Sequence, residues 1–325
     1  MAFDAKEAFL AYGISCDKPV LINSERTDEI RMNFIADKKY VLQVSSNEIF
    51  SEQRVELMNK LIDRYNEFGF VSPKYLKAED GKYIHIVSNL YCMVHEYANE
   101  KLLYECDDIS YFDINKQIYN HLGKYSEQYK GKEILPFRTT YSVFDLSPLD
   151  TEVDEMQANF IKLSQALQKA GFLDLKNKLS KYNDTIREEL KQIYKKLPRC
   201  NYQGNINSRN ILIKDKTIIG LIDFTQFGSE VVVNYIANET KPEISSDDFI
   251  EYSANEIFSK IIKEHKENMS IAFKNYKMTL DERKALDLYC KLIHLFSFSY
   301  FQVYNQVIGT KNRNKATSLL YMLMM

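Results

Sequence analysis

Residues 200 to 228, CNYQGNINSRNILIKDKTIIGLIDFTQFG, decide the fold of this chain. The segment reads as a loop, a short strand, a tight turn and a second strand, IIGLID, that ends at Asp223. Asn210 precedes the first strand, so the hairpin is predicted to bring an amide and a carboxylate together at one end. A carboxylate at the exit of an apolar strand is costly to bury without a partner. Taken singly, Asp223 caps a turn and Asn210 satisfies loop backbone; taken together with the element order, they indicate a metal-ligand pair.

The first hundred residues predict a small antiparallel sheet with one helix, in the order β-β-β-α-β-β. A short helix at residues 4–13 comes first, followed by extended runs at residues 20–22, 29–35 and 39–44, with a hairpin turn at Asp37-Lys38. A capping-box pattern at residues 45–48 is expected to open the helix, which Gly69 ends. Its apolar stripe comprises Leu57, Met58, Leu61, Ile62, Tyr65 and Phe68. Two more strands follow at residues 83–87 and 91–97.

The remainder of the chain reads as mainly helical, with the hairpin as its only clear β signal. Apolar stripes at helical spacing cover residues 114–129, 156–167 and 175–193. A second capping box, Thr279 to Glu282, predicts the start of a long last helix, and residues 286–309 read as one buried core helix. We therefore expect a β-rich lobe at residues 1–97 and a helical lobe at residues 98–325, which contains the segment 200–228.

Composition excludes several classes of protein. The net charge of −2 and the pI near 6.3 provide no basic field for nucleic acid or anionic membrane. The five cysteines are scattered and never spaced as CxxC, which argues against a disulfide framework or zinc site and favours a reducing cytosol. The N-terminus lacks the basic and apolar regions of a signal peptide. A cytoplasmic protein without nucleic-acid or membrane partners is expected.

The element order and the hairpin resemble a known family. At residues 203–228 the sequence is similar to the aminoglycoside phosphotransferase and choline kinase superfamily, whose loop reads His-Gly-Asp-x4-Asn and is followed by Ile-Asp-Phe or Ile-Asp-Trp. The corresponding residues are Gln203-Gly204-Asn205-x4-Asn210 and Ile222-Asp223-Phe224. The weaker resemblance covers nearly the whole chain and includes Gly69 to Pro73. It implies a bilobal α+β fold of the protein-kinase type.

The resemblance also implies an activity and its cofactors. Members of the superfamily transfer phosphate from ATP or GTP to a hydroxyl group of a small molecule. Because phosphoryl transfer has a loose transition state, the protein mainly positions groups and neutralises charge. By the resemblance, Asn210 and Asp223 would bind Mg²⁺, which prefers oxygen ligands. Glu56, on the long helix of the first lobe, would be the ion-pair glutamate, although a solvated helix face is an equal alternative. Glu96 and Tyr97, within residues 95–98, would lie beside adenine.

Three positions depart from the family pattern. Asn205 stands where the catalytic aspartate accepts a proton, and an amide cannot act as that base, which forfeits about 10²- to 10⁴-fold in rate. Gln203 replaces a mainly structural histidine. Gln43 stands where a third-strand Lys or Arg binds phosphate, and it offers no charge-assisted contact. The alternatives are therefore an active small-molecule kinase, a pseudokinase that binds nucleotide with little turnover, and a scaffold that keeps only the fold.

Overall fold

A computed structural model describes residues 3–26 and 30–325 of the chain. These residues form two compact units, Met1–Ile109 with Asn205–Gln226, and Ser110–Gly204 with Phe227–Met325. Residues 205–226, which include the hairpin of the segment 200–228, belong to the first unit, and the lobe boundary between residues 97 and 98 stays a prediction. Each unit is built around its own hydrophobic core.

The first unit contains the predicted five-stranded antiparallel sheet. Its first elements are α1 (Ala5–Leu10), β1 (Val20–Arg26), β2 (Ile30–Ala36), β3 (Tyr40–Ser45), α2 (Glu52–Glu67), β4 (His85–Val87) and β5 (Leu90–Glu96). The strands lie in the order β1-β2-β3-β5-β4. Asp37 and Lys38 adopt left-handed φ values of 50° and 53° in the predicted tight turn. Glu29, placed by the sequence in the second strand, lies outside the described residues. The α+β class is confirmed.

Helix α2 carries the predicted apolar face but begins later than expected. Ser51, not the capping box at residues 45–48, caps the helix, because its Oγ accepts a hydrogen bond from the backbone N–H of Arg54 at 3.2 Å. Ser45 instead ends β3. The helix buries Met58, Leu61, Ile62 and Tyr65 of the predicted stripe. Gly69, with φ of 104°, follows its last turn, as predicted.

A second, three-stranded sheet completes the first unit. It consists of β6 (Lys101–Leu102) and, after β7 (Arg199–Tyr202) of the second unit, β8 (Ile211–Lys214) and β9 (Thr217–Leu221), in the order β6-β8-β9. The backbone N–H of Val71 donates to the carbonyl of Ile219 at 2.7 Å. A Cβ atom at Gly220 would lie only 1.8 Å from the carbonyl oxygen of Val71, so this position accepts only glycine. These contacts explain why the hairpin belongs to the first unit.

The second unit is mainly helical. Its elements are α3 (Tyr111–Tyr129), α4 (Glu155–Lys169), α5 (Leu173–Lys191), the ribbon of β7 with β10 (Gly228–Val231), α6 (Val232–Thr240), α7 (Asp248–Glu251), α8 (Ala254–Phe273), α9 (Leu280–Phe296), α10 (Phe298–Ile308) and α11 (Arg313–Leu323). The ribbon was not predicted, because each of its strands has only four residues. Across the described residues, no helix has the length and apolarity needed to cross a membrane.

The single helix predicted over residues 286–309 is in fact two helices, separated at Ser297. Thr279 opens α9 with the predicted capping box, but Ser297 has an extended backbone with ψ of 145°. The break leaves the carbonyl of Phe296 without its helical donor, and the Nδ2 of Asn159 in α4 donates to it at 3.0 Å. The bond comes from a residue distant in sequence, so local periodicity could not reveal it.

Two buried histidines form a neutral pair in the core of the second unit. His265 Nε2 lies 2.9 Å from the carbonyl of Ala237, which only accepts, so this nitrogen carries the proton. His265 Nδ1 therefore accepts from His294 Nε2–H at 2.7 Å. Burial lowers the pKa of His265 to about 4 and that of His294 to about 3, with nearby positive charge acting in the same direction.

Replacing Gly220 with alanine should destabilise the first unit by about 1–3 kcal/mol, since the new methyl group would overlap the backbone of Val71. Urea denaturation monitored by circular dichroism measures the loss. Gly309→Ala is the matched control, because its Cβ would lie 3.5 Å from the nearest atom, the carbonyl oxygen of Gln306. Equal stability of the two variants would contradict the close approach at Gly220.

The histidine pair predicts a loss of stability in mild acid. Both folded pKa values lie below the ordinary 6.5, so the unfolded chain binds more protons as the pH falls from 6.5 toward 4. The contribution of the pair to the free energy of unfolding should decrease in this window by up to about 1.4 kcal/mol per pH unit for each histidine. Glu155 and Glu239, whose pKa values burial raises to about 7, contribute with the opposite sign. Denaturant titrations at several pH values measure the slope.

His265→Gln provides the control for that slope. Glutamine keeps one donor for Ala237 and one acceptor for His294 but does not titrate. Below pH 6.5 the free energy of unfolding of this variant should depend less steeply on pH, by the equivalent of about one bound proton. An unchanged slope would show that other groups cause the acid sensitivity.

Candidate functional site

The loop before β8 is held by asparagine side chains. The Nδ2 of Asn210 donates to the backbone carbonyl of Asn205 at 2.8 Å, and the Nδ2 of Asn207 donates to Asn205 Oδ1 at 2.9 Å. The backbone N–H of Asn210 bonds the carbonyl of Asn207 at 2.9 Å. Asn210 is buried. The amide nitrogen of Asn210 is thus bonded within the loop, and Oδ1 is the side-chain atom that could bind a metal ion.

The end of β9 places Asp223 beside Asn210 in the hairpin. The backbone N–H of Ile222 donates to the carbonyl of Asn210 at 2.9 Å, one residue before Asp223. Asp223 has a left-handed φ of 56°, a conformation that costs about 1–3 kcal/mol and persists where its surroundings enforce it. Thr225 provides part of that support, since its N–H and its Oγ1–H donate to Asp223 Oδ1 at 3.2 and 2.6 Å.

Three residues of the five-stranded sheet region contact one another, and the negative charge of Asp223 acts on two of them. Tyr75, which is 5% exposed, donates its hydroxyl to Gln43 Oε1 at 2.8 Å, and its ring meets the ring of His95 edge-on. Burial, followed by the negative charge of Asp223, raises the pKa of Tyr75 well above its usual range. Burial lowers the pKa of His95, which the bond to the Glu96 carbonyl and the charge of Asp223 oppose. We call Gln43, Tyr75, His95 and Asp223 the Asp223 group.

The Asp223 group includes two predicted site residues and one that the sequence analysis missed. Gln43 and Asp223, far apart in sequence, are linked through Tyr75, which donates to Gln43 and whose pKa the charge of Asp223 acts to raise. Tyr75 had no signal in the sequence, because a single tyrosine after Pro73 fits no motif. His95 lies in β5 as the strand pattern indicated.

Glu56 does not lie in the Asp223 group. Its carboxylate is 2.9 Å from the Nζ of Lys60, one helical turn along, and both side chains are more than half exposed. This exposure favours the alternative of a solvated helix face, and the ion-pair role of Glu56 stays a prediction. The inward polar residue near the start of α2 is Arg54, which is 2% exposed and donates from Nη2 to the carbonyl of Thr225 at 3.0 Å.

Glu96 and Tyr97 lie at the end of β5, where backbone hydrogen bonds hold the chain. The N–H of Tyr97 donates to the carbonyl of Lys39 at 2.7 Å. The carbonyl of Glu96 accepts from Nδ1–H of His95 at 2.7 Å. The Glu96 side chain is exposed. The contact of these residues with adenine stays a prediction.

Gln203 belongs to the second unit, where it is fully buried just after β7. The N–H of the next residue, Gly204, donates to the hydroxyl of Tyr235 at 3.2 Å. The ring of Tyr235 stacks on that of Tyr202 with 3.7 Å between centroids. A fully buried side chain beside these stacked rings suits a structural role, like the one the resemblance implies for the histidine at this position. That role of Gln203 stays a prediction.

The oxygen donors of Asn210 and Asp223 suit a hard divalent cation. An amide oxygen and a carboxylate are ligands that Mg²⁺ accepts, and this ion keeps waters or takes phosphate oxygens for the rest of its shell. Within residues 3–26 and 30–325 there is no cluster of three or more His, Cys, Asp or Glu side chains that would bind a metal alone. An ion here would thus need oxygens from a ligand or from water.

Comparison with known proteins gives structural matches alone. No protein-family model and no curated protein matches the sequence. Among solved structures, a microcompartment-associated aminopropanol kinase is 14% identical, with a TM-score of 0.56 over 98% of this chain and 94% of that one. An amicoumacin kinase in complex with AMP-PNP and Ca²⁺ is 12% identical, with a TM-score of 0.53 over 98% and 91%.

A third structure has the same relationship to the chain. A thermostable mutant of an aminoglycoside phosphotransferase, in a ternary complex with AMP-PNP and hygromycin B, is 11% identical, with a TM-score of 0.51 over 99% and 98%. At such identities the likeness concerns the fold, and it extends over nearly the full length of each protein. The chain has the fold of these small-molecule kinases and phosphotransferases, which is the fold that its loop and hairpin motifs predicted.

Proposed function

We propose that this protein binds ATP or GTP together with Mg²⁺ and transfers the terminal phosphoryl group to a hydroxyl of a small molecule. The observation that carries the proposal is the hairpin end, where the backbone N–H of Ile222 donates to the carbonyl of Asn210, one residue before Asp223. The fold supports it, because the similar solved structures include kinases in complex with AMP-PNP.

In the proposed site, Oδ1 of Asn210 and the carboxylate of Asp223 hold the ion. When bound, Mg²⁺ would neutralise charge on the phosphates of the nucleotide. The chain's own contribution is to keep the two ligands in place: the Asn210 amide through its bond to Asn205, and Asp223 through Thr225. Such pre-organisation is the main contribution a protein makes to a loose transition state.

Asn205 is proposed to organise the loop rather than to accept a proton. Its backbone carbonyl and its Oδ1 accept hydrogen bonds from the side chains of Asn210 and Asn207. The amide cannot act as a general base near neutral pH, and such a base contributes about 10²- to 10⁴-fold to the rate. Slow transfer is therefore the expected property of the natural sequence.

The second candidate function is nucleotide binding with little or no turnover. Two observations favour it: Asn205 at the base position, and the neutral Gln43, whose Oε1 accepts from Tyr75. A neutral amide lacks the charge-assisted contact with phosphate that a Lys or Arg would give. The two functions share nucleotide binding and differ in turnover.

The acceptor is proposed as a class, a small molecule with a hydroxyl group. Proteins of similar structure are described as kinases of aminopropanol and amicoumacin. Because acceptor pockets vary on one fold, a panel of amino alcohols, aminoglycosides and simple polyols should be tested for phosphorylation with radiolabelled ATP. Transfer to any member identifies the acceptor class, and hydrolysis without transfer favours the second candidate.

Nucleotide binding should depend on the metal and on Asp223. At a ligand concentration of 100 times Kd, ATP with Mg²⁺ should stabilise the protein by about 2.7 kcal/mol, which raises Tm by a few degrees. Asp223→Asn should remove the metal-dependent part of this shift, because the ligand charge is lost while the side-chain shape is kept. Differential scanning fluorimetry with ATP or GTP, with Mg²⁺ or EDTA, measures it.

Asp215→Asn is the matched control for Asp223→Asn. Asp215 lies in the exposed turn of the same hairpin and also has a positive φ, of 48°, which asparagine tolerates equally well. This variant should keep the full shift. Flat melting curves for the natural protein with every nucleotide and metal would refute the proposal and leave the scaffold alternative.

Asn205→Asp should restore turnover if the base is what the site lacks. The two side chains have nearly the same shape, so the variant should fold normally. ATP hydrolysis or transfer should increase by roughly 10²-fold or more. If the neutral Gln43 is a second defect, the increase should need Gln43→Lys as well, with strongly non-additive effects. Natural turnover of about 1–100 per second would contradict this view, because it would require another base.

A further inference from the structure

Arg54 occupies an unusual position for a charged residue. It is the third residue of α2 and is 2% exposed, on the same face as Val55, Met58 and Tyr65. Burial lowers its pKa to about 10, so the side chain stays protonated at neutral pH but pays a desolvation cost. A buried cation needs specific contacts to offset that cost. One of them is the bond from Nη2 to the carbonyl of Thr225.

That bond leads to Asp223 within two steps. Arg54 holds the carbonyl of Thr225, and the N–H and Oγ1–H of Thr225 hold Oδ1 of Asp223. Asp223 itself has the left-handed backbone that only strong local support maintains. A hydrogen bond from a charged donor is about twice as strong as a neutral one. Arg54 thus secures the far end of the turn that presents the carboxylate.

A second contact between α2 and the same turn acts alongside this bond. The ring of Tyr65, three turns further along the helix, meets the ring of Phe224 edge-on at 5.3 Å between centroids. Phe224 lies between Asp223 and Thr225. The helix therefore holds the turn through one polar and one aromatic contact, and the polar contact is the one connected to the carboxylate by hydrogen bonds.

We propose that Arg54 is a positioning residue for the candidate metal site: through Thr225 it holds the Asp223 carboxylate in place without binding the ion itself. The inference rests on the proposed function, since it concerns the same site. In this inference, the inward-facing residue of α2 that supports the turn after β9 is the cation Arg54. The family pattern had predicted a glutamate, Glu56, from this helix.

The test separates metal-dependent from metal-independent binding of nucleotide. The Kd of ATP is measured by calorimetry with EDTA and with Mg²⁺. The ratio of the Kd in EDTA to the Kd in Mg²⁺ reports how well the ion is held. Arg54→Met keeps a flexible apolar side chain at this buried position and removes the guanidinium group, and should lower this ratio about tenfold, as for loss of one bond from a charged donor. The Kd in EDTA should change less than about twofold, since Arg54 is not assigned to the nucleotide.

Variants at the other end of the connection test the route. Thr225→Val should lower the ratio as Arg54→Met does, and it serves if the Arg54 variant fails to fold. Thr225→Ser keeps the hydroxyl and should keep the ratio. Lys60→Met is the matched control for loss of a cation from α2, because Lys60 is exposed on the same helix. It should leave both Kd values unchanged.

Hydrogen exchange of the metal-free protein gives a second readout. The amide of Thr225 donates to Asp223, so its exchange should become about tenfold faster in Arg54→Met and stay unchanged in Lys60→Met. An unchanged affinity ratio in Arg54→Met, or a lower ratio without faster exchange at Thr225, overturns the inference while leaving the proposed function intact. A ratio of one in the natural protein refutes the proposed function, and the inference falls with it.

Discussion

The close approach of the β9 backbone to Val71 is the constraint on which the candidate site depends. The N–H of Val71 bonds the carbonyl of Ile219, and the absence of a side chain at Gly220 lets the two backbones meet. β9 is thereby fixed against the segment that leads to Tyr75 four residues later. The strand ends at Leu221, two residues before Asp223, and the negative charge of Asp223 acts to raise the pKa values of Tyr75 and His95.

Charge is sparse in this part of the first unit. Gln43 and Asn205 are neutral, and the roles of both amides are satisfied by hydrogen bonds to Tyr75 and Asn207. The charged members are Asp223 and Arg54, one on the turn and the other on the helix that supports it. Both are connected to Thr225, Arg54 through the carbonyl of that residue and Asp223 through its N–H and its hydroxyl.

The sequence predicted those parts of the fold and site that local patterns specify. Alternating and helical periodicity gave the five strands and the stripe of α2, and the paired motif located Asn210 and Asp223. Features that depend on distant residues were not accessible. The break at Ser297 uses a side chain of α4, and the hairpin joins the first unit through a two-residue strand and Val71. Arg54 was missed because an arginine in a helix reads as solvent-exposed, and only packing shows that it is buried.

Two of the three departures from the family pattern, Asn205 and Gln43, have different physical consequences. Asn205 in place of an aspartate removes a negative charge, and Gln43 in place of a Lys or Arg removes a positive one. The formal charge of the loop and strand taken together is unchanged, so the longer-range attraction for an anionic nucleotide is largely kept. What is lost is short-range: a proton acceptor, which acts only in the transition state, and a charge-assisted contact, which acts on bound nucleotide and transition state alike. Weak nucleotide binding would therefore arise from Gln43 and slow turnover from Asn205. A protein of this sequence would be able to bind nucleotide without transferring phosphate.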